Sequence, residues 1–295
     1  MIDIYVPTYG RKNPKILSLL RDKNIRLHLC VRHETLKEYE HLKSYARLSL
    51  VDLGTGIEEL GETRKRIIEH CLNEGLKYCI MFDDGLTKVS DLSDENKTIS
   101  DSIEEAIKFL KKKQKEHKEV FCYTFYRLGN RFLGVHKADE YFVGFPLQAE
   151  IIDLDYIRKY NINFKSMKEV GLEDIAFFVD AVKAGLIFVS NQDIHIEGKL
   201  PNVIEEGGSH QEDIDAFEKK RDNDHKKLMQ YVGKMYGIML TKKYRESLGF
   251  CLTYAKIDFS YFRDVLVYHR EENKKIIDNK FIIEDWLWLF YMKNF

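Results

Sequence analysis

The sequence predicts an α/β fold in its first two thirds, followed by a helical segment. Three observations carry that prediction. Short apolar runs alternate with stretches of helical period from Ile2 to Asp83, the pattern of parallel strands joined by crossover helices. Glycine turns separate the runs, as at Gly10, Gly54 and Gly75. After Gly207-Gly208-Ser209-His210 the alternation stops, and residues 211–295 read as helical and aromatic.

In chain order, Ile2 to Val6 is a first strand, stopped at Pro7, and Gly10-Arg11-Lys12-Asn13-Pro14 is a loop. Lys15 to Asp22 is a helix with Ile16, Leu19 and Leu20 on one face. Leu27 to Val31 is a strand, Thr35 to Ala46 a helix, and Leu48 to Leu53 a strand. Gly54-Thr55-Gly56 is a glycine loop. Glu62 to Gly75 is a periodic helix burying Ile67, Ile68, Cys71 and Leu72. Tyr78-Cys79-Ile80-Met81-Phe82 is a buried strand. Ser100 to Lys118 is a helix whose lysine-rich end is a solvated face. Val120 to Tyr126 and Phe142 to Ile152 are apolar, aromatic strands. Gly171-Leu172-Glu173-Asp174 opens a helix running to Ala184 and closed by Gly185. Leu186 to Ser190 and Asp193 to Ile196 are strands. Two regions result, residues 1–210 and residues 211–295.

Composition narrows the function classes. The net charge of −1 gives no bulk electrostatic case for nucleic-acid binding, though a local basic face remains open. The five cysteines are odd in number and form no Cys-x-x-Cys pair, which predicts buried reduced thiols in a cytoplasmic protein. No basic leader precedes an apolar core at the N-terminus, which predicts no signal peptide. No apolar run approaches the length of a membrane span.

The most telling segment is Met81-Phe82-Asp83-Asp84-Gly85. Ligands of open α/β sheets bind beyond the carboxyl ends of the strands. Two adjacent acids there repel unless a cation lies between them, which points to a divalent metal serving a phosphorylated substrate. The alternative is a solvated acidic turn.

Four other features accompany that segment. Ile4-Tyr5-Val6-Pro7-Thr8-Tyr9-Gly10-Arg11 opens the chain, Gly56 is followed by Arg64 on a helix, Glu173-Asp174 begins a later helix, and His210 follows Gly207-Gly208. In order and spacing, over about 210 residues, the set resembles the GT-A glycosyltransferases. That resemblance implies a Rossmann-like domain with a mixed central sheet flanked by helices over 1–210. Residues 211–295 would then be a helical appendage, open to an acceptor-binding role. It implies nucleotide-sugar contacts at Pro7, Thr8, Tyr9, Arg11, Gly56, Arg64, Asp83, Gly207 and Gly208. It implies metal ligation by Asp83, Asp84 and His210, and Asp174 as the catalytic base with Glu173 beside it. Gly85 stands where many members carry a third acid, so that role moves to Asp84 or to a water. The Val6-Pro7-Thr8-Tyr9-Gly10-Arg11 opening looks most like the phage glycosyltransferases associated with TET/JBP-type oxygenases. Those are proposed to place sugars on hydroxymethylated pyrimidines in DNA, which would put this chain in the host cytoplasm.

The chemistry suits these residue types. A UDP-sugar, UDP-glucose being the first donor to try, leaves a diphosphate whose growing charge a cation stabilises. Two hard carboxylates fit Mg²⁺ or Mn²⁺, and an added imidazole favours Mn²⁺. Arginines such as Arg11 and Arg64 suit either phosphate or the carboxylates of the metal site. A carboxylate base opposite the leaving group implies inversion, and its absence implies retention.

Each residue also has a plainer reading. First-turn acids such as Glu173 and Asp174 favour a helix dipole, Arg64 lies in a charged helix start, paired glycines make turns, and His210 can be an ordinary loop residue. The aromatic side chains of 211–295 pack a core or stack on a flipped base. Among functions, a glycan, lipid or protein acceptor competes with DNA. A nucleotidyltransferase predicts a glycine-rich, lysine-bearing loop after the first strand, and Thr8 to Pro14 holds one glycine. A nonenzymatic nucleotide-binding module predicts that Asp83 or Asp84 holds no metal.

Overall fold

The computed structural model describes residues 1–127, 136–137, 142–143, 148–166, 173–174, 177, 180–181, 184, 186–191 and 193–198. The helical reading of 211–295 and the loop carrying Gly207, Gly208 and His210 lie outside them.

Three strands form the parallel half with a fourth beside them. These are β1 (Ile2–Pro7), β2 (Ile25–Val31), β3 (Leu48–Asp52) and β4 (Tyr78–Phe82). Strand β1 pairs in parallel with β2 on one side and β4 on the other, and β2 pairs in parallel with β3. The chain then leaves the sheet through β5 (Leu86–Asp91) and α2 (Ile99–Glu116), and returns in β6 (Val120–Thr124). Short strands follow at β7 (Tyr126–Arg127), β8 (His136–Lys137) and β9 (Phe142–Val143). Strand β10 (Ala149–Asp153) enters antiparallel between β4 and β6, and makes the sheet mixed. After α3 (Leu154–Tyr160) come β11 (Ile187–Ser190) and β12 (Ile194–Gly198). The central sheet runs β3-β2-β1-β4-β10-β6-β11-β9-β8, and a small second sheet runs β5-β12-β7.

Both faces of the sheet are covered, which is why its strands read as continuous apolar runs. Ile4, Val6, Ile80 and Phe82 face one side, packed with Ile103, Ala106 and Leu110 of α2. Tyr5, Cys79 and Met81 face the other, packed with Ile67, Ile68 and Cys71 of α1 (Leu60–Asn73). Cys30, Cys71, Cys79 and Cys122 are free and buried there, as expected of reduced thiols, and Cys251 lies outside the described residues.

Several elements differ from the sequence expectations. The segments Lys15–Arg21 and His33–Ser44 are 3₁₀ rather than α-helical. Periods of 3.0 and 3.6 place the same few apolar residues inward over two turns, so periodicity does not separate them. The run Phe142 to Ile152 breaks into β9 and β10. Strand β5 and helix α3 carry no clean period; β5 buries only Leu86, Val89 and Asp91, and α3 is set by its cap, Asp153, whose side chain accepts from Asp155 N–H. Helix α2 starts a residue earlier than its apolar period, because Thr98 and Asp101 close a capping box.

The carboxyl end of β4 is also a corner between the two sheets. Asp83 N–H donates to Gln148 O at 2.7 Å, and Leu86 N–H donates back to Asp83 O at 3.2 Å. Ile16 N–H donates to Asp84 O at 3.1 Å. These bonds hold the backbone of both aspartates from three directions.

Candidate active site at the tip of strand β4

Helix α1 turns a stripe of Gly61, Arg64, Ile67, Ile68 and Cys71 inward. Arg64 therefore sits on the core-facing side at the end nearest the strand tips, and it is fully buried. Its guanidinium is shared among three acids. Nη2 donates to Asp83 Oδ1 at 2.7 Å, and Nη1 donates to Glu150 Oε1 at 2.9 Å. Nε lies 3.2 Å from Glu173 Oε1, close enough for an ion pair but without hydrogen-bond alignment. Glu173 and Asp174 are both helical; Glu173 is buried and Asp174 is half-buried, within the field of Arg64.

The neighbouring aspartate has its own arginine. Arg11 Nη1 donates to Asp84 Oδ1 at 2.5 Å, and both side chains are largely buried. The like charges at the strand tip are thus separated onto two guanidinium groups, so repulsion alone does not demand a metal ion. Burial still pushes Asp84 up to about 7, against the pull of Arg11 and helped by the charge of Asp83. In donor chemistry alone, two adjacent carboxylates suit a hard divalent ion. Among the described residues no group of three His, Cys, Asp or Glu side chains is placed to hold a metal ion. The protein ligands would then be Asp83, Asp84 and His210, the last outside those residues.

The tip of β1 lies alongside. Pro7 ends the strand. Thr8 is buried, its N–H donating to Cys30 O at 3.1 Å and its hydroxyl to Val6 O at 3.2 Å. Tyr9 is 46% exposed, and the Arg32 guanidinium lies 4.1 Å from the centre of its ring. Gly56, at φ +75°, is exposed beyond β3, and its N–H donates to Glu34 Oε1 at 3.2 Å.

The structure adds three residues that the sequence reading passes over. Arg32 supports Tyr9 from the tip of β2. Gly61 is a close-approach position, because a Cβ there would meet the carbonyl oxygen of Lys165 and lie 3.0 Å from Glu173 Cβ. Glu150, the second residue of β10, is 1% exposed. The signal for it was present: an acid inside the run Ala149-Glu150-Ile151-Ile152 needs a buried partner.

Burial pushes Glu150 up to about 7, although Arg64 pulls the other way. An unfolded glutamate releases its proton near its ordinary value of 4.5. The folded chain keeps that proton until about 7, so this group's contribution to stability is full below pH 4.5 and is lost as pH rises through 7. The stability of the wild type minus that of Glu150→Gln is expected to fall by roughly 3 kcal/mol across that window, measured by urea unfolding at each pH. A difference that stays flat with pH removes the buried titration.

The parallel half, the antiparallel β10 and a site at the strand tips make up a GT-A-type α/β glycosyltransferase fold. The sequence profile described as TET-Associated Glycosyltransferase matches residues 2–201. The chain belongs to that family and is a glycosyltransferase. No curated protein matches it in sequence. Among solved structures, S. aureus TarS 1–349 is 13% identical, with 96% of this chain and 90% of that one covered and a TM-score of 0.47. The same protein in complex with UDP shows equal identity and coverage at 0.48. A cytidylyltransferase from Leptospira borgpetersenii serovar Hardjo-bovis is 12% identical, covering 94% of this chain and 95% of that one, at 0.37. At these scores no residue role passes from those structures to this chain. Among the described residues no helix is long and apolar enough to cross a membrane.

Proposed function

We propose that this chain moves a sugar from a UDP-sugar to a hydroxyl group, and that the acceptor is a 5-hydroxymethylpyrimidine in DNA. The observation that carries the reading is the meeting of Asp83 and Glu173 on one buried guanidinium, Arg64. Two segments ninety residues apart in sequence, one suited to the donor and one to the acceptor, converge there. Around them, Tyr9 offers an exposed ring for a nucleobase, with Pro7 and Thr8 shaping the strand end beneath it. Arg11 is poised to trade its contact with Asp84 for a phosphate oxygen, since both partners are anions. Asp83, Asp84 and His210 would hold Mn²⁺ or Mg²⁺, which offsets charge on the leaving diphosphate. Asp174 takes the acceptor proton, with inversion at the anomeric carbon. Residues 1–210 form the donor-binding and catalytic unit in this reading, and 211–295 contact the acceptor. The family match supports sugar transfer, and its association with TET-type chemistry makes the hydroxymethyl group the acceptor to try first.

A thermal-shift series tests the donor half. UDP with Mn²⁺ is expected to raise Tm well beyond the sum of their separate effects, and Asp84→Asn to remove that synergy. A full shift from UDP alone would sink the metal. No shift with any nucleoside diphosphate would sink the donor. Incubation with UDP-glucose and duplexes carrying 5-hydroxymethyluracil or 5-hydroxymethylcytosine, against plain duplex, tests the acceptor; equal labelling of plain DNA counts against it.

A further inference from the structure

Among the described residues Arg64 is the largest side chain that is fully buried, and it carries a charge. Two of its three acidic partners belong to the site on the reading above: Asp83 at the tip of β4, and Glu173 next to Asp174. The third does not. Glu150 comes from within the sheet, where it stands opposite Met81 of β4 and Thr124 of β6. A residue bonded into a ladder on both sides has little freedom to shift, whereas a strand tip has more.

A guanidinium is a planar fork, so fixing one edge sets the direction of the others. Nη1 is fixed by Glu150 Oε1 at 2.9 Å, with Met81 Sδ beside it at 3.6 Å. The Phe164 ring, 5.6 Å from the guanidinium carbon, lies against the group. What remains, Nη2 and Nε, points to Asp83 and Glu173. An acid at this place is costly as packing. Its Oε2 has no partner among the described residues, and an apolar side chain of similar volume would fill the space without that desolvation.

We infer that Glu150 is a positioning residue for sugar transfer: it anchors Arg64 to the sheet and thereby holds the donor-side Asp83 and the acceptor-side Glu173-Asp174 pair in register. The chemistry in this inference rests on the proposed transfer reaction; the anchoring does not. Glu150→Met and Glu150→Gln separate the two. Glu150→Met keeps the volume and removes the acceptor, and kcat for transfer is expected to fall about tenfold or more, with the donor KM within about threefold of wild type. Glu150→Gln restores an acceptor oxygen and returns kcat to within about threefold. Full kcat in folded Glu150→Met overturns the inference, because a merely structural residue would change Tm and leave turnover alone. If Glu150→Met does not fold, a folded Glu150→Gln that has lost its turnover overturns it, since that variant keeps the acceptor. A wild type without transfer activity would count against the proposed reaction instead. The anchoring is then read from the Arg64 Nε–H resonance by NMR, expected to shift in Glu150→Met and hold in Glu150→Gln, and an unshifted resonance in Glu150→Met overturns it.

Discussion

Replacing Arg64 with methionine is expected to cost about 3–5 kcal/mol of unfolding free energy, the range for breaking a buried pair by removing one partner. Arg64 faces Asp83, Glu150 and Glu173, and of these Glu150 and Glu173 are buried. Without the guanidinium, three carboxyls share a poorly solvated space with no cation. They must either take up protons or open the contact between α1, β10 and the helical segment at Glu173. Methionine fills most of the volume, so the loss reports charge and hydrogen bonding rather than a cavity. Arg64→Lys is expected to fall between, because one ammonium cannot satisfy three acids held at three edges of a fork. Urea unfolding checks this, with an unchanged m-value marking a pure stability effect. A methionine variant within about 1 kcal/mol of wild type would show that the three acids do not depend on Arg64.

The parts of this fold that were legible in the sequence are those where period and burial agree. Ile2–Pro7 and Tyr78–Phe82 are short apolar runs with both faces covered, and α1 carries a full inward stripe. The parts that were not legible depend on partners distant in the chain. An acid in Ala149-Glu150-Ile151 has meaning only once Arg64, 86 positions earlier, is seen against it. Gly61 looks like an ordinary helix residue until Lys165 and Glu173 arrive beside it. Asp83-Asp84 was readable as a charged strand tip, and Arg11 and Arg64 as suited to its carboxylates or to phosphate, but which guanidinium meets which acid was not. The two arginines come from separate elements, Arg11 from the loop after β1 and Arg64 from α1. Period also failed for His33–Ser44, where only Tyr39 and Leu42 are buried and a 3₁₀ turn serves as well as an α turn.

Asp174→Asn is expected to lower kcat by on the order of a hundredfold or more while leaving the UDP and Mn²⁺ thermal shift intact. The two acids of the Glu173-Asp174 pair stand in different surroundings. Glu173 is buried and held near Arg64 Nε, so its carboxylate is already committed to a charge inside the protein. A base must reach an incoming hydroxyl, and Asp174 is the more accessible of the two. Asparagine keeps its size and removes the carboxylate basicity that takes the proton, and the proposed donor site at Asp83 and Asp84 is left alone. Glu173→Gln is expected to behave in the opposite way, lowering Tm through a weaker contact with Arg64 and reducing turnover only as far as Asp174 is displaced. Equal turnover in Asp174→Asn and wild type would remove Asp174 as the base. Loss confined to Glu173→Gln would move that role to the buried acid, and Arg64 would then have to release it during each cycle.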